Sequence, residues 1–284
     1  MEPEVTTGQI MRQALTASGL LLAVLALSAC ETSGSSQRAA DQLNNPVVDQ
    51  KNNIASISAV LAKNPRDANA LNLRGTAFGQ SGDYEKAIAD FTAALQINPQ
   101  FYQAYNNRGL IYLRVGRYDA AMNDYNQALS IKPDYAAAYA GRGNVYKEVK
   151  NFPMAIADFA KAIELKPDDP APYFSRGLVY QAMDDHRAAL DDLTVAVNYR
   201  PDAPDPHLAR GMSYMELQDY KKAFEDFQTA GTNKVNNYEA WANAGRAAEA
   251  LGNRADAVQA YRRALQINSS SQFALEGLKR MGAA

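Results

Sequence analysis

The chain has 284 residues, 47% of them hydrophobic and 21% charged, with 29 basic and 31 acidic side chains and a formal net charge of −2. Such a composition describes a globular chain, and its balanced charge excludes the basic field that tracks nucleic-acid phosphates. One cysteine rules out an internal disulfide framework.

In residues 1–29 the apolar run from Leu20 to Leu27 is far shorter than the roughly 20 residues a membrane span needs, so the segment reads as a secretion signal. Its end, Leu27-Ser28-Ala29-Cys30, resembles a bacterial lipobox, in which small residues admit the peptidase and the cysteine thiol receives a diacylglyceryl group. Cys30 is therefore the expected lipidation site and the link to the membrane. Glu2 and Glu4 do not suit a leader, whereas a start at Met11 brings Arg12 into place, and we expect Met11 to be the initiator. By resemblance to bacterial lipoproteins, Glu31 in place of an aspartate favours the inner leaflet of the outer membrane, facing the periplasm.

Residues 30–47 are small and polar after the cysteine and read as a tether, with a span of roughly 20–24 Å for its flexible part. From 48 to 67 the apolar residues Ile54, Ile57, Val60 and Leu61 return at helical spacing, and Pro65 stands 34 residues before Pro99. This is the second half of a degenerate repeat, expected to cap the adjoining stack. The same segment could serve instead as the contact surface of a homodimer.

The 34-residue step governs everything from 68 to 271. Gly75, Gly109, Gly143, Gly177, Gly211 and Gly245 keep it at position 8 of the unit, and Ala87, Ala121, Ala155, Ala189, Ala223 and Ala257 at position 20. Aromatic or aliphatic residues at positions 4, 11, 24 and 28 fall on one face of each of two helices. In residues 102–135 the full set is Tyr105, Arg108, Gly109, Tyr112, Ala121, Tyr125, Ala128 and Pro133, which resembles the tetratricopeptide repeat. The resemblance implies an all-α, right-handed superhelical solenoid with repeats at 68–101, 102–135, 136–169, 170–203, 204–237 and 238–271. Residues 272–284, with Phe273, Leu275, Leu278 and Met281 on one face, are the expected C-terminal capping helix.

Position 7 departs from the leucine usual in such repeats. It holds Arg74, Arg108, Arg142, Arg176 and Arg210, while position 23 holds Asp90, Asp124, Asp158, Asp192 and Asp226; in the sixth repeat both become alanine, Ala244 and Ala260. Pairing within each repeat matches every arginine to an aspartate, whereas pairing with the preceding repeat sets Arg74 against Ser56 and Asp226 against Ala244. Five structural ion pairs within hairpins are expected. In the fifth repeat Gly231 replaces the aliphatic residue of position 28, and the second helix is expected to end early there, in a loop of Thr232, Asn233 and Asn236.

No HExxH, GxSxG, phosphate loop or metal-spaced cysteine set is present, so no catalytic residue, cofactor or metal is expected. His186 and His207 each replace a packing aromatic, and the pairs Asp168-Asp169 and Asp184-Asp185 lie at turns where aspartate caps helices. With 13 residues after the last repeat, no separate catalytic domain is expected.

In the family that the repeats resemble, the concave groove is lined by the first helix of each repeat at positions 2, 5, 9 and 12, with 6 and 13 at its margins. In repeats 1 to 3 these positions give Asn72, Thr76, Asn106, Asn107, Leu110, Arg114, Asn144 and Lys147, a polar lining suited to an extended ligand. In repeats 4 and 5 they give an apolar strip of Phe174, Leu178, Leu208, Met212 and Met215. Signal, repeats and length together resemble the NlpI-type lipoproteins, which implies an envelope adaptor docking peptidoglycan hydrolases and a tail-specific protease. A second resemblance, to pilotins of the PilF or TadD kind, implies assistance to an outer-membrane secretin.

Overall fold

The computed structural model describes residues 46–234 and 236–283, with side-chain surroundings given from Asn53 onward. The leader, Cys30 and most of the tether lie outside the described residues. Contacts divide the chain between Asp49 and Gln50; of the first unit only the opening turn of a helix is described, and the repeats all belong to the second.

All regular structure among the described residues is helical. Helix α1 (Pro46–Lys63) precedes six hairpins: α2 (Ala68–Gln80) with α3 (Tyr84–Ile97), α4 (Tyr102–Arg114) with α5 (Tyr118–Ile131), and α6 (Ala136–Glu148) with α7 (Phe152–Leu165). Then come α8 (Pro170–Ala182) with α9 (His186–Tyr199), α10 (Pro204–Glu216) with α11 (Tyr220–Asn233), α12 (Tyr238–Ala250) with α13 (Arg254–Ile267), and a last helix, α14 (Gln272–Arg280).

Each hairpin closes because its centre is made of small residues. The alanines of position 20 are fully buried, and a Cβ on Gly143 would stand 2.9 Å from the Phe159 ring, so only glycine admits that ring between the helices. Aspartates and an asparagine at the helix starts satisfy amides the helix leaves open: Asp67 accepts from Ala70 N, Asp169 from Ala171 N, Asp185 from Ala188 N and Asn237 from Ala240 N. The turn inside each hairpin passes through the left-handed region at position 15. Gly82, Gly116 and Gly252 occupy it in three repeats, but Lys150, Asp184 and Gln218 occupy it in the other three, with φ of 59°, 63° and 62°.

The core is a series of local clusters along the stack, as expected of a quasi-one-dimensional fold. At the N-terminal end Leu61 is buried and Ile57 half-buried against Leu71 and Leu95, while Val60 is 50% exposed. At the other end Ala274 and Leu278 of α14 close the last cluster, and Arg280 pairs with Glu249 at 2.7 Å.

The second helix of the fifth repeat corrects the expectation of an early stop. Helix α11 continues through Gly231 to Asn233, matching the second helices of the other repeats. The reason for the glycine is Trp241 of the next repeat. Its indole lies where a side chain at 231 would go, 2.6 Å from an added Cβ, and its Nε1 donates to the Gly231 carbonyl at 3.1 Å.

Candidate partner-binding groove

Consecutive first helices pack on one another from α2 through α4, α6 and α8 to α10, whereas the described second helices make no comparable contact among themselves. The first helices therefore form the inner face of the stack, and the groove residues belong to them.

Its polar part is partly self-satisfied. Asn107 donates to Asn72 Oδ1 at 3.1 Å, Asn106 to Asn107 Oδ1 at 3.3 Å, Thr76 to the Asn72 carbonyl and Asn144 to the Ala140 carbonyl. Leu110 remains 41% exposed. Arg114 and Lys147 meet Asn144, Glu148, Leu113 and Tyr118 around a shallow depression of about 380 Å³.

The apolar part is less open than the sequence implies. Phe174 and Leu178 are half-buried against Ala189, Leu193 and Ala209. Leu208 and Met212 are half-buried against the C-terminal cluster, and Met215 is buried within it. Met215 is thus a core residue and not part of an exposed strip, because it belongs to the cluster that Ala223, Phe227, Trp241 and the alanines of α12 build. A depression that sequence reading missed, about 510 Å³, is lined by Phe174, Tyr199, the turn Pro201–Ala203 and the start of α10 as far as Pro206. Its only advance signal is the proline run Pro201, Pro204 and Pro206.

Between the helices of each of the first five repeats, the position-7 arginine lies in a two-pronged bond with its own aspartate. Nε and Nη2 donate at 2.7 and 2.8 Å for Arg74 to Asp90, at 2.8 Å both for Arg108 to Asp124 and for Arg142 to Asp158, at 2.7 Å both for Arg176 to Asp192, and at 2.8 Å both for Arg210 to Asp226. All five aspartates are buried. For Arg142, the bond it donates to Asp158 outweighs burial and lifts the guanidinium pKa above its ordinary value. A third donor was not foreseen: Nη1 reaches back to the preceding unit, from Arg74 to Ser58, Arg108 to Thr92 and Arg142 to Asn126. The signal was a polar residue at position 25. Arg74, Arg108 and Arg142 consequently bind repeat to repeat as well as helix to helix.

One tetratricopeptide-repeat family model matches residues 54–100, 72–136 and 174–234, and two more match 136–169 and 238–271. The chain belongs to the tetratricopeptide-repeat family. Solved structures share this fold. Pseudomonas aeruginosa PilF is 19% identical over 76% of this chain and 99% of its own, with a TM-score of 0.67. PilW, described as a widely conserved type IV pilus biogenesis factor, is 23% identical over 74% of this chain and 98% of its own, at 0.66. YrrB, described as a repeat protein with an unusual peptide-binding site, is 24% identical over 66% of this chain and 97% of its own, at 0.57. At these identities the likeness is one of fold. No curated protein matches the sequence.

Within this tetratricopeptide-repeat chain the sixth repeat has its own packing, which explains why Arg and Asp vanish together there. Helix α12 packs on α11 as intimately as the two helices of one hairpin pack, with Ala242, Ala244, Ala247 and Ala248 all buried. An arginine at 244 would have no space. The Arg263 guanidinium instead lies over the Trp241 ring, 4.2 Å from its centroid.

The two histidines differ. His186 Nε2 lies 3.1 Å from Asp184 Oδ1 at an exposed turn, with Nδ1 buried. His207 is buried and bonded at both nitrogens, to Asp226 Oδ1 and to the Pro201 carbonyl. Among the described residues no group of three or more His, Cys, Asp or Glu side chains is placed to hold a metal ion. What the arrangement offers is a binding surface on a rigid scaffold.

Proposed function

We propose that this protein is a scaffold of the bacterial cell envelope, lipidated at Cys30, that holds a partner protein on the inner face of its repeats. The observation that carries this reading is the alignment of first helices, which sets exposed Leu110 of α4 and, two repeats on, half-buried Phe174 and Leu178 of α8 on one continuous face. Half-buried apolar groups on a preformed face favour an apolar helix or extended tail. Polar neighbours such as Asn106, Asn144, Arg114 and Lys147 would take its backbone and charged groups. The clients under this reading are a peptidoglycan hydrolase or a tail-specific protease. A second client, an outer-membrane secretin, is favoured by the breadth of the likeness to PilF and PilW, which covers three-quarters of this chain.

The test is cross-linking in intact envelopes followed by capture, comparing wild type with the double change Leu110→Asp and Leu178→Asp. Loss of the client with a folded protein supports the groove; undiminished capture moves the site elsewhere. Recovery of a hydrolase or protease favours the first client class, and recovery of a secretin the second. Retention of a Cys30→Ser variant in the membrane would overturn the lipid anchor.

A further inference from the structure

His207 stands at position 4 of the fifth repeat, where Tyr105, Tyr139, Tyr173 and Trp241 stand in others. Its ring nitrogens face two acceptors at equal distance. Nδ1 lies 2.8 Å from Asp226 Oδ1 and Nε2 lies 2.8 Å from the Pro201 carbonyl oxygen. A neutral imidazole carries one N–H and one lone pair. Of the two neutral forms, a proton on Nε2 would set the Nδ1 lone pair against an ionised carboxylate, so the neutral ring keeps its proton on Nδ1 toward Asp226 and turns the Nε2 lone pair on the Pro201 carbonyl oxygen. Only the imidazolium donates to both.

The groups acting on the ring come from three elements. Asp226 of α11 favours the cation, the Pro201 carbonyl of the turn before α10 accepts from it, and Arg210 of its own helix, bonded to the same carboxylate, opposes it. The balance raises the His207 pKa, with the Asp226 bond as the main cause. Asp226 moves the other way: burial pushes it up, but bonds from Arg210 and His207 bring it below its ordinary value.

The carbonyl that His207 holds belongs to the turn that walls the depression beside Phe174 and Tyr199. We infer that His207 is a proton-controlled latch, which as imidazolium pins the Pro201–Ala203 turn to α11 and on deprotonation releases that turn and loosens the wall of the depression. The sign comes from linkage. A raised folded pKa gives stability that is fully present below the free-imidazole value of about 6.5 and is lost as pH rises through the folded value. The latch is therefore shut in acid and opens toward alkaline pH.

Two measurements on the folded protein decide it. The imidazole NMR titration of His207 should have its midpoint above that of free histidine; a midpoint at or below it overturns the latch. Hydrogen exchange at the amides of Arg200, Asp202, Ala203, Asp205, His207 and Leu208, corrected for intrinsic base catalysis, should quicken as pH crosses that midpoint. The expected gain in local opening is about tenfold for each pH unit separating the midpoint from the free value. In His207→Tyr, which places the residue of other repeats at this site, the pH dependence should vanish. Exchange that stays flat across the titration in wild type overturns the proposal, and this arm stands even where the variant fails to fold.

Discussion

Among single residues, the position-7 arginines show most directly how charge is used. Asp158 is buried and takes two bonds from Arg142, whose side chain keeps 19% exposure. Arg142→Ala leaves that carboxylate without its cation and should cost about 3 kcal/mol, the lower end for a buried pair because the arginine is partly wet. The double change Arg142→Ala with Asp158→Ala should recover a large part of the loss, measured as urea midpoints at equal m-value; equal midpoints for wild type and the single variant would refute the role. Backbone strain offers a second test. Lys150 is held at φ 59°, in a turn where Gly116 and Gly252 sit elsewhere with open space around an added Cβ. Lys150→Gly should stabilise by about 0.5–1 kcal/mol, the relief of the left-handed cost less the greater freedom of glycine in the unfolded chain. A fall in the thermal midpoint would show that Lys150 does something else at that turn.

At the level of elements, α11 and α12 form the junction that departs from the repeat pattern. Trp241 fills the space over Gly231, and the alanines of α12 let the helix settle against α11. Gly231→Leu restores the residue type of position 28 and improves helix propensity, so local reasoning expects stabilisation. The packing dictates the opposite. A leucine must displace the indole and break its bond to the Gly231 carbonyl, an overpacking cost of about 1–3 kcal/mol. Chemical denaturation followed by Trp241, the chain's single tryptophan, reads both the loss and the altered environment of the ring. Gly231→Leu at or above wild-type stability would mean that the ring moves aside freely.

For the molecule as a whole, the groove and the core compete for the same side chains. Leu110 faces solvent, while Met212 leans on the C-terminal cluster that Met215 joins. Aspartate at 110 should leave the melting midpoint within about 0.5 kcal/mol of wild type, whereas Met212→Asp places a charge against apolar neighbours and should cost about 2 kcal/mol or more. Thermal melts of the two single variants check this, and equal midpoints would mean that Met212 is as open as Leu110. The partner-capture experiment accordingly rests first on Leu110, and the Leu178 change, which also leans on a buried cluster, is read only where a melt shows the protein folded.

The 34-residue step of Gly, Ala and aromatic residues dictated the hairpins, because periodic small residues leave a helix pair only one close approach. The joint change of Arg and Asp to alanine in the sixth repeat pointed to pairing within the repeat, since a charge and its partner must be kept or lost together. Other features needed neighbours that sequence order does not reveal. Gly231 looked like a helix stop because propensity is local, and only the Trp241 ring explains it. Met215 looked exposed because its register said groove, but it joins the buried cluster around Phe227 and Trp241. The reach of the arginines to Ser58, Thr92 and Asn126, and the two acceptors around His207, depend on how one repeat is set against the next. Periodicity fixes which face of each helix is buried; the angle and distance between successive repeats are set by side-chain volumes meeting across the junction, and those were decided only in the tertiary structure.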